Sequence, residues 1–360
     1  MKMIKKKASI SWMRMRCTMF DIKETMNFAK ALLEIPSPTG YTHHAIRWLQ
    51  SEAETLGYEC EITPKGNLMI HVNGDDSNYA IGVSGHTDTL GLMVRSITSS
   101  GNLLVTNIGG PIIHTLDGEY CTVITRDGKH IQGTILSTTP SMHVYKEADS
   151  ATRNIDTIEI RLDECVKNKD DVIKLGIGNG DFVAIDPKTT ITDSGFIKSR
   201  FLDDKISVAI MFGVLKALRS NNLTPKHDVT FIISTYEETG HGTSWIPQNI
   251  KEMLAVDMGC IGKDLACTEY DVSICAKDSS GPYDYDMVNR LIDLAKGEKC
   301  NYVVDIYPYY GSDVSAALRG GQNIKGALIG PGVHASHGME RTHQDAIESS
   351  MKLLIAYLTK

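Results

Sequence analysis

The chain has 360 residues, of which 42% are hydrophobic and 22% charged, and its formal net charge is −7. This composition is ordinary for a globular protein of about two domains, and no apolar run approaches the roughly 20 residues that a membrane helix needs. Six Lys or Arg residues and no acid lie within residues 1–18, so the remainder carries −13. An acidic body of this kind argues against nucleic acid as a partner, and neither nucleic-acid nor membrane binding is expected.

The eight cysteines form no Cys-x-x-Cys pair and no regular framework. In a chain of this length that pattern indicates reduced thiols and predicts a cytoplasmic protein. The basic residues 1–18 lack the continuous apolar stretch of a signal peptide, so we predict a disordered N-terminal extension there.

The chain after this extension begins with alternating helices and strands. Asp21, with Glu24 three residues later, forms a capping-box-like start to a helix that ends at the turn cluster of residues 36–40. A second helix follows, and then two apolar runs, residues 67–72 and 79–85, are predicted as strands. Such alternation is typical of a doubly wound α/β sheet.

Residues 91–184 have a different texture, because short alternating runs are separated by Gly, Asp-Gly and Asn-Gly turns. We predict from them a small β-rich, barrel-like domain inserted into the sheet domain. Its predicted strands are residues 103–105, 122–125, 131–136, 157–162 and 182–185.

The α/β pattern resumes after residue 185. The fold prediction is therefore a doubly wound mixed α/β sheet, built from residues 19–90 and 185–360, with the inserted domain between them. The helices predicted in the second part are residues 205–219, 285–295, 313–318 and 345–358, and its strands are residues 228–234 and 254–256.

Five short segments that carry acids or histidines follow, or are embedded in, apolar runs that are predicted as buried strands. They are residues 85–88, 201–205, 236–240, 256–259 and 336–340. Side chains at the carboxyl ends of parallel strands converge on one crevice of an open α/β sheet. Two His, two Asp and one Glu match the ligand set of a pair of borderline metal ions, and the neighbouring Glu237 is left to act on a water. The sequence therefore predicts a dinuclear metallohydrolase.

The first three segments allow more specific expectations. His86 has the position of a metal ligand, and Asp88, two residues later, can orient its second ring nitrogen. Asp203 and Asp204 are either ordinary helix caps or a source of one bridging carboxylate, and their spacing does not choose between them. Adjacent residues at a strand end point in different directions, so one acid of the Glu237–Glu238 pair can bind metal while the other serves as a base.

The last segment offers three histidines within ten residues. His337 is preferred, because Gly338 relaxes the backbone and Glu340 is available as its partner or as a contact for a substrate amine. His334 lies closer to the preceding strand and is the second candidate. His343 precedes the last helix, where a capping residue is expected.

Residues 19–360 resemble the dinuclear metal-dependent aminopeptidases of the tetrahedral (TET) type, which include glutamyl and deblocking aminopeptidases. The resemblance lies in the turn of residues 36–40, the stretch 86–94, the acids at 203–204 and 237–238, Asp257, residues 311–313, and the His337 loop. It implies five metal ligands: His86 and Asp257 on one ion, Glu238 and His337 on the other, and Asp203 between them. It also implies that Glu237 is the general base and that Asp88 orients His86.

The same resemblance implies a zinc-exopeptidase-like fold and two divalent ions, zinc or cobalt, with manganese as a further option. It implies peptide substrates and self-association into a homo-oligomer such as a tetrahedral dodecamer, built through residues 91–184. Two alternatives remain open. An amidase or carboxypeptidase-type hydrolase of the same clan would need an Arg or Lys clamp for a substrate carboxylate. A non-catalytic, metal-stabilised scaffold would leave Glu237 without a task.

Overall fold

The computed structural model of the protein describes residues 19–360, and the predicted basic extension lies outside them. The helices are α1 (Ile22–Leu33), α2 (His43–Thr55), α3 (Lys169–Leu175), α4 (Leu202–Ser220), α5 (Tyr285–Glu298), α6 (Asp313–Arg319) and α7 (Gln344–Thr359). The strands are β1 (Glu59–Ile62), β2 (Leu68–Val72), β3 (Asp76–His86), β4 (Gly91–Ile97), β5 (Leu103–Ile108), β6 (Tyr120–Ile124), β7 (His130–Ser137), β8 (Ile158–Leu162), β9 (Phe182–Ile185), β10 (Thr190–Ile191), β11 (Phe196–Ser199), β12 (His227–Ser234), β13 (Ile250–Val256), β14 (Gly259–Cys260), β15 (Val272–Asp278), β16 (Gly281–Pro282), β17 (Tyr302–Ile306), β18 (Lys325–Val333) and β19 (Glu340–His343).

A ten-stranded mixed sheet forms the centre of the larger domain. Its main order is β1-β2-β12-β3-β13-β18-β15-β16, with β14 added to β18 and β17 added to β15. The four adjacent strands β12, β3, β13 and β18 are mutually parallel, so their carboxyl ends lie along one edge. Helices cover this sheet, which explains why its central strands are apolar on both faces. The predicted doubly wound mixed α/β fold is confirmed.

Strands β4 to β9 close into a barrel in the order β4-β5-β8-β7-β6-β9. Buried and partly exposed residues alternate along β7 and β8, as expected when one strand face lines a small core. The five strands predicted in this region are all present. The sequence missed β4 and α3, because neither a seven-residue strand directly after a polar loop nor a two-turn helix gives a clear periodic signal.

A third, three-stranded sheet joins two segments of the larger domain. Strand β11 pairs antiparallel with both β10 and β19. Within this pairing Ser199 lies opposite Glu340, so the residues just before α4 run beside the loop that follows β18. None of this pairing was predicted, because β11 and β19 are only four residues long.

The predicted helices of the larger domain are all present, and the start of α4 differs in detail. Asp203 and Asp204 lie inside its first turn but have non-helical backbone angles, and regular helical geometry begins after them. Phe201, which precedes this first turn, makes no side-chain capping hydrogen bond. Among residues 19–360, no helix is long and apolar enough to span a bilayer.

Candidate metal centre

The predicted site residues converge at the edge where the four parallel strands end. His86 is the last residue of β3, and Asp257 directly follows β13. Glu237 and Glu238 form a 3-10 turn after β12, and His337 lies in the loop that follows β18. Open α/β sheets bind ligands in this crevice.

His86 is fully buried, and both of its ring nitrogens have partners. Nδ1 donates to the main-chain carbonyl of Asp88 at 2.9 Å, while the Asp88 carboxylate lies 3.5 Å away. Nε2 lies 3.1 Å from Asp203 Oδ1 and 3.7 Å from Glu237 Oε2. Burial alone would lower the pKa of His86, but its contacts with Asp203 and Asp88 raise it well above the usual value. The orienting acceptor is thus the carbonyl of Asp88, which fixes Nδ1–H and leaves Nε2 for an ion.

Both aspartates at the start of α4 face the crevice. Asp203 lies close to His86 and Glu238, and Asp204 lies close to His86 and Asp257; within each group of three, the ligand atoms are within 4.8 Å of one another. The two carboxyl oxygens of Asp203 face different histidines, since Oδ2 lies 3.6 Å from His337 Nε2. Asp204 Oδ2 accepts from the main-chain N–H of His86 at 3.1 Å.

The Glu237–Glu238 turn is held by Asp88. The carboxylate of Asp88 accepts from the main-chain N–H of Glu237 at 3.2 Å and of Glu238 at 3.4 Å. Thr39 donates its hydroxyl to the same carboxylate at 2.7 Å. Glu238 Oε2 points toward His337 Nε2 at 3.7 Å, whereas Glu237 Oε2 points toward His86. The two adjacent acids therefore point in different directions, as expected after a strand.

Asp257 completes the group and has a neighbour that the sequence did not single out. Burial, together with the nearby charge of Asp203, raises the pKa of Asp257 to about 7. The Tyr310 hydroxyl donates to the main-chain oxygen of Met258 at 3.3 Å, and its interaction with Asp257 partly opposes the rise of that pKa. No sequence signal pointed to Tyr310, because the loop that carries it follows β17, a strand that was not predicted.

The structure separates the three histidines of the late loop. His337 Nε2 faces Asp203 and Glu238, and its Nδ1 donates to the carbonyl of Gly110 at 2.9 Å. His334 is exposed and pairs only through its backbone with Arg341. His343 is the N-cap of α7, which is the role expected of it. Gly338 was expected to relax the backbone of this loop. The residue with a left-handed φ, of 64°, is instead His337.

The donor set suits a divalent cation. Asp204 Oδ1 and Glu238 Oε1 are buried side-chain oxygens without a hydrogen-bond partner. Burial raises the pKa values of Asp204, Glu237 and Glu238 well above their usual range, so a positive charge is needed to keep these groups ionised together. Mixed imidazole and carboxylate donors are the ligands that zinc and related ions prefer.

The fold and the site define a class, namely a metallohydrolase built on a mixed α/β sheet. Residues 66–353 match the M42 glutamyl aminopeptidase family, and the chain belongs to that family. It is 45% identical over 341 residues to YhfE of Bacillus subtilis (strain 168), a protein named provisionally as an aminopeptidase; the match covers 94% of this chain and 99% of YhfE. The chain is accordingly a metal-dependent aminopeptidase.

Solved structures of TET peptidases share its fold, and two of them illustrate the similarity. The TET aminopeptidase of a marine-sediment Thaumarchaeota archaeon superposes with a TM-score of 0.84 at 17% identity, over 94% of this chain and 96% of that one. The TET1 peptidase of Pyrococcus horikoshii, described as assembling into a tetrahedron or a large octahedral shell, gives a TM-score of 0.80 at 22% identity, over 94% and 100% of the chains.

Proposed function

We propose that this aminopeptidase uses two divalent ions, zinc or cobalt with manganese as a further option, and that Asp203 bridges them. The observation that carries the proposal is the position of Asp203, whose Oδ1 lies 3.1 Å from His86 Nε2 and whose Oδ2 lies 3.6 Å from His337 Nε2. A carboxylate between two imidazoles has one oxygen for each ion. On this assignment Asp257 joins His86 on one ion, and Glu238 joins His337 on the other.

Glu237 is proposed as the general base. Divalent ions bound in this crevice would polarise the scissile carbonyl and make water more acidic. Glu237 points into the same space, and its mostly buried carboxylate can accept a proton from a water there and pass it to the leaving amine. Asp88 holds the turn that carries Glu237 and also fixes the tautomer of His86 through its carbonyl. Substrates are peptides with a free N-terminus, whose ammonium group suits this acidic crevice.

Asp204 is the alternative bridging residue, because it forms its own close group with His86 and Asp257. Substituting each aspartate by Asn separates the two assignments. We expect Asp203→Asn to lower the metal content from about two ions toward one or none, and Asp204→Asn to retain both. Retention of both ions by Asp203→Asn, with loss in Asp204→Asn, would reverse the assignment.

A clan-related amidase or carboxypeptidase would need a cation to clamp the substrate carboxylate. Three buried or half-buried cations close to the site are already engaged, and one of them, Lys205, donates to the carbonyls of Leu32 at 3.0 Å and Ile35 at 2.7 Å. Lys65 Nζ donates to the Gly242 carbonyl at 3.0 Å, and Arg200 donates to the Thr115 carbonyl at 2.8 Å. These contacts favour the aminopeptidase reaction.

The test is a panel of aminoacyl chromogenic substrates, each paired with its N-acetylated form. Hydrolysis of the free form alone, its loss with chelator, and its return with zinc, cobalt or manganese are the expected results. Cleavage of the N-acetylated substrates at comparable rates would contradict aminopeptidase action. Full activity in protein shown by elemental analysis to contain no metal would contradict the metal centre.

We further propose that the protein is a cytoplasmic homo-oligomer, such as a tetrahedral dodecamer, whose assembly uses the inserted domain of residues 91–184. The structural similarity to a Pyrococcus horikoshii peptidase that forms a tetrahedron supports this proposal. In the described chain the barrel of β4 to β9 contributes none of the seven proposed site residues. Sedimentation of the intact protein, and of a form in which a short linker replaces the barrel, tests it. A monomer in both cases would contradict the proposal.

A further inference from the structure

Glu340 lies against the proposed metal centre, and each of its carboxylate oxygens accepts a main-chain hydrogen bond. Its side chain is buried, with only 2% of the residue exposed. Oε1 accepts from the main-chain N–H of His337 at 2.8 Å, and Oε2 accepts from the main-chain N–H of Asp203 at 3.0 Å. One side chain therefore joins the two segments that carry these proposed ligands.

The position of Glu340 follows from the three-stranded sheet. Glu340 is the first residue of β19 and lies opposite Ser199 at the end of β11. The chain then continues from Ser199 into the first turn of α4, where Asp203 lies. Two segments that are distant in sequence are thus brought side by side, and the Glu340 side chain spans the gap between them.

His337 has a backbone conformation that needs such support. Its φ of 64° is in the left-handed region, which residues other than glycine rarely adopt. The hydrogen bond from its N–H to Glu340 holds the loop in this conformation and so directs the imidazole toward Asp203 and Glu238. Only 2% of Glu340 is exposed and each of its oxygens already accepts one N–H, which favours its role as a support over a contact with a substrate amine.

We propose that Glu340 is a positioning residue, which sets the distance between Asp203 and His337. It thereby sets the affinity of the site for the ion assigned to Glu238 and His337. This inference rests on the proposed ligand roles of Asp203 and His337. Arg200 lines the same small cavity and is itself buried; its ion pair is with Glu119 at 3.6 Å, and its charge also acts on Glu340. Arg200 donates to the main-chain oxygen of Thr115, between β5 and β6, which ties this arrangement to the barrel.

The test is Glu340→Gln, which keeps the shape of the side chain but replaces one accepting oxygen by an NH2 group. That group would face an N–H donor, so one of the two hydrogen bonds is lost. Partners that hold metal ligands in place typically contribute 10- to 100-fold to metal affinity. We expect the dissociation constant of one ion to rise by about 10- to 100-fold, measured by titrating metal-free protein with Co²⁺ and following the visible absorption. The other ion should bind as in the unmodified protein.

Asp305 provides a matched control. It is also a buried carboxylate that accepts from two main-chain N–H groups, of Ala266 at 2.9 Å and of Cys267 at 3.0 Å. Asp305→Asn should lower the melting temperature of the metal-free protein by an amount comparable to Glu340→Gln. It should leave both Co²⁺ dissociation constants unchanged, because Asp305 holds no proposed ligand.

Two results would overturn the proposal: unchanged Co²⁺ affinity in Glu340→Gln, or an equal loss of affinity in Asp305→Asn. If Glu340→Gln fails to fold, Glu340→Asp serves instead. The Asp side chain keeps the charge but is one methylene shorter and cannot reach both N–H groups. Unchanged Co²⁺ affinity in Glu340→Asp would therefore also overturn the proposal. A wrong ligand assignment would give a different result from a wrong role for Glu340. In that case Asp203→Asn and His337→Ala would themselves retain both ions.

Discussion

The adjacent acids Glu237 and Glu238 allow the sharpest test of the mechanism, because one amide substitution at each should produce opposite phenotypes. Glu237→Gln keeps the length of the side chain and the main-chain hydrogen bond to Asp88, so the turn should retain its geometry. The substitution removes only the ability to take a proton. We therefore expect both metal ions to remain and turnover to fall.

The magnitude follows from the environment of Glu237. General bases typically contribute 10²- to 10⁴-fold to the rate. The Glu237 side chain is only 15% exposed, so bulk water has limited access to the site to accept the proton in its place. We expect kcat to fall by about 10³-fold, which corresponds to about 4 kcal/mol of barrier. Glu238→Gln should instead lower the metal content from about two ions toward one, because Glu238 carries a buried oxygen with no other partner.

The assay combines single-substrate kinetics with metal analysis of both variants under identical conditions. Each variant is the control for the other, since the two residues share the same turn and the same orienting carboxylate. If Glu237→Gln releases an ion while Glu238→Gln keeps both and loses turnover, the roles are reversed. If both variants keep two ions and near-normal kcat, neither acid belongs to the reaction.

Three further outcomes are expected. Chelation should abolish hydrolysis and zinc or cobalt should restore it, as measured with an aminoacyl chromogenic substrate; retention of activity at zero metal content would contradict this. His337→Ala should lower the metal content toward one ion, while His334→Ala, at an exposed position in the same loop, should not; equal metal content in the two would remove His337 from the ligand set. Phe231→Ala, at a fully buried position of β12, should cost about 3–5 kcal/mol of unfolding free energy in urea titrations, and a cost below about 1 kcal/mol would mean that the strand core repacks.

The strands that end at the site could be predicted, because each is a local apolar run followed by a polar side chain. The run before Glu237 and the run before Asp257 are strands β12 and β13, which lie on either side of β3. Periodicity within a few residues is enough for such elements. The parallel pairing itself is a general rule of alternating α/β chains, so the common edge could be expected as well.

The contacts around the site could not be predicted, since they join residues far apart in the chain. Thr39 donates to Asp88 across 49 residues, and Asp203 donates to Glu340 across 137 residues. These contacts depend on how a turn after α1 and a four-residue strand pack against the sheet edge. Similarly, the pattern identified Asp88 as the partner of His86, but only the structure assigns that role to its carbonyl instead of its carboxylate.

The acids of the crevice fall into two kinds, which differ in what satisfies their oxygens. Asp88 and Glu340 each accept from two main-chain N–H groups, so their oxygens have donors without an ion, although burial and the charge of Asp203 raise the pKa of Glu340 well above its usual range. Glu238 has a buried oxygen with no donor, and burial raises the pKa of Asp257 to about 7, so their charges need an external cation. A carboxylate that accepts main-chain N–H groups is suited to holding neighbouring segments in place. A buried carboxylate without a donor instead destabilises the fold until an ion binds to it. The metal-free protein is thus destabilised at the proposed ligands and stabilised at the residues that hold them, so substituting Glu340 should lower the stability of the metal-free protein as well as its metal affinity.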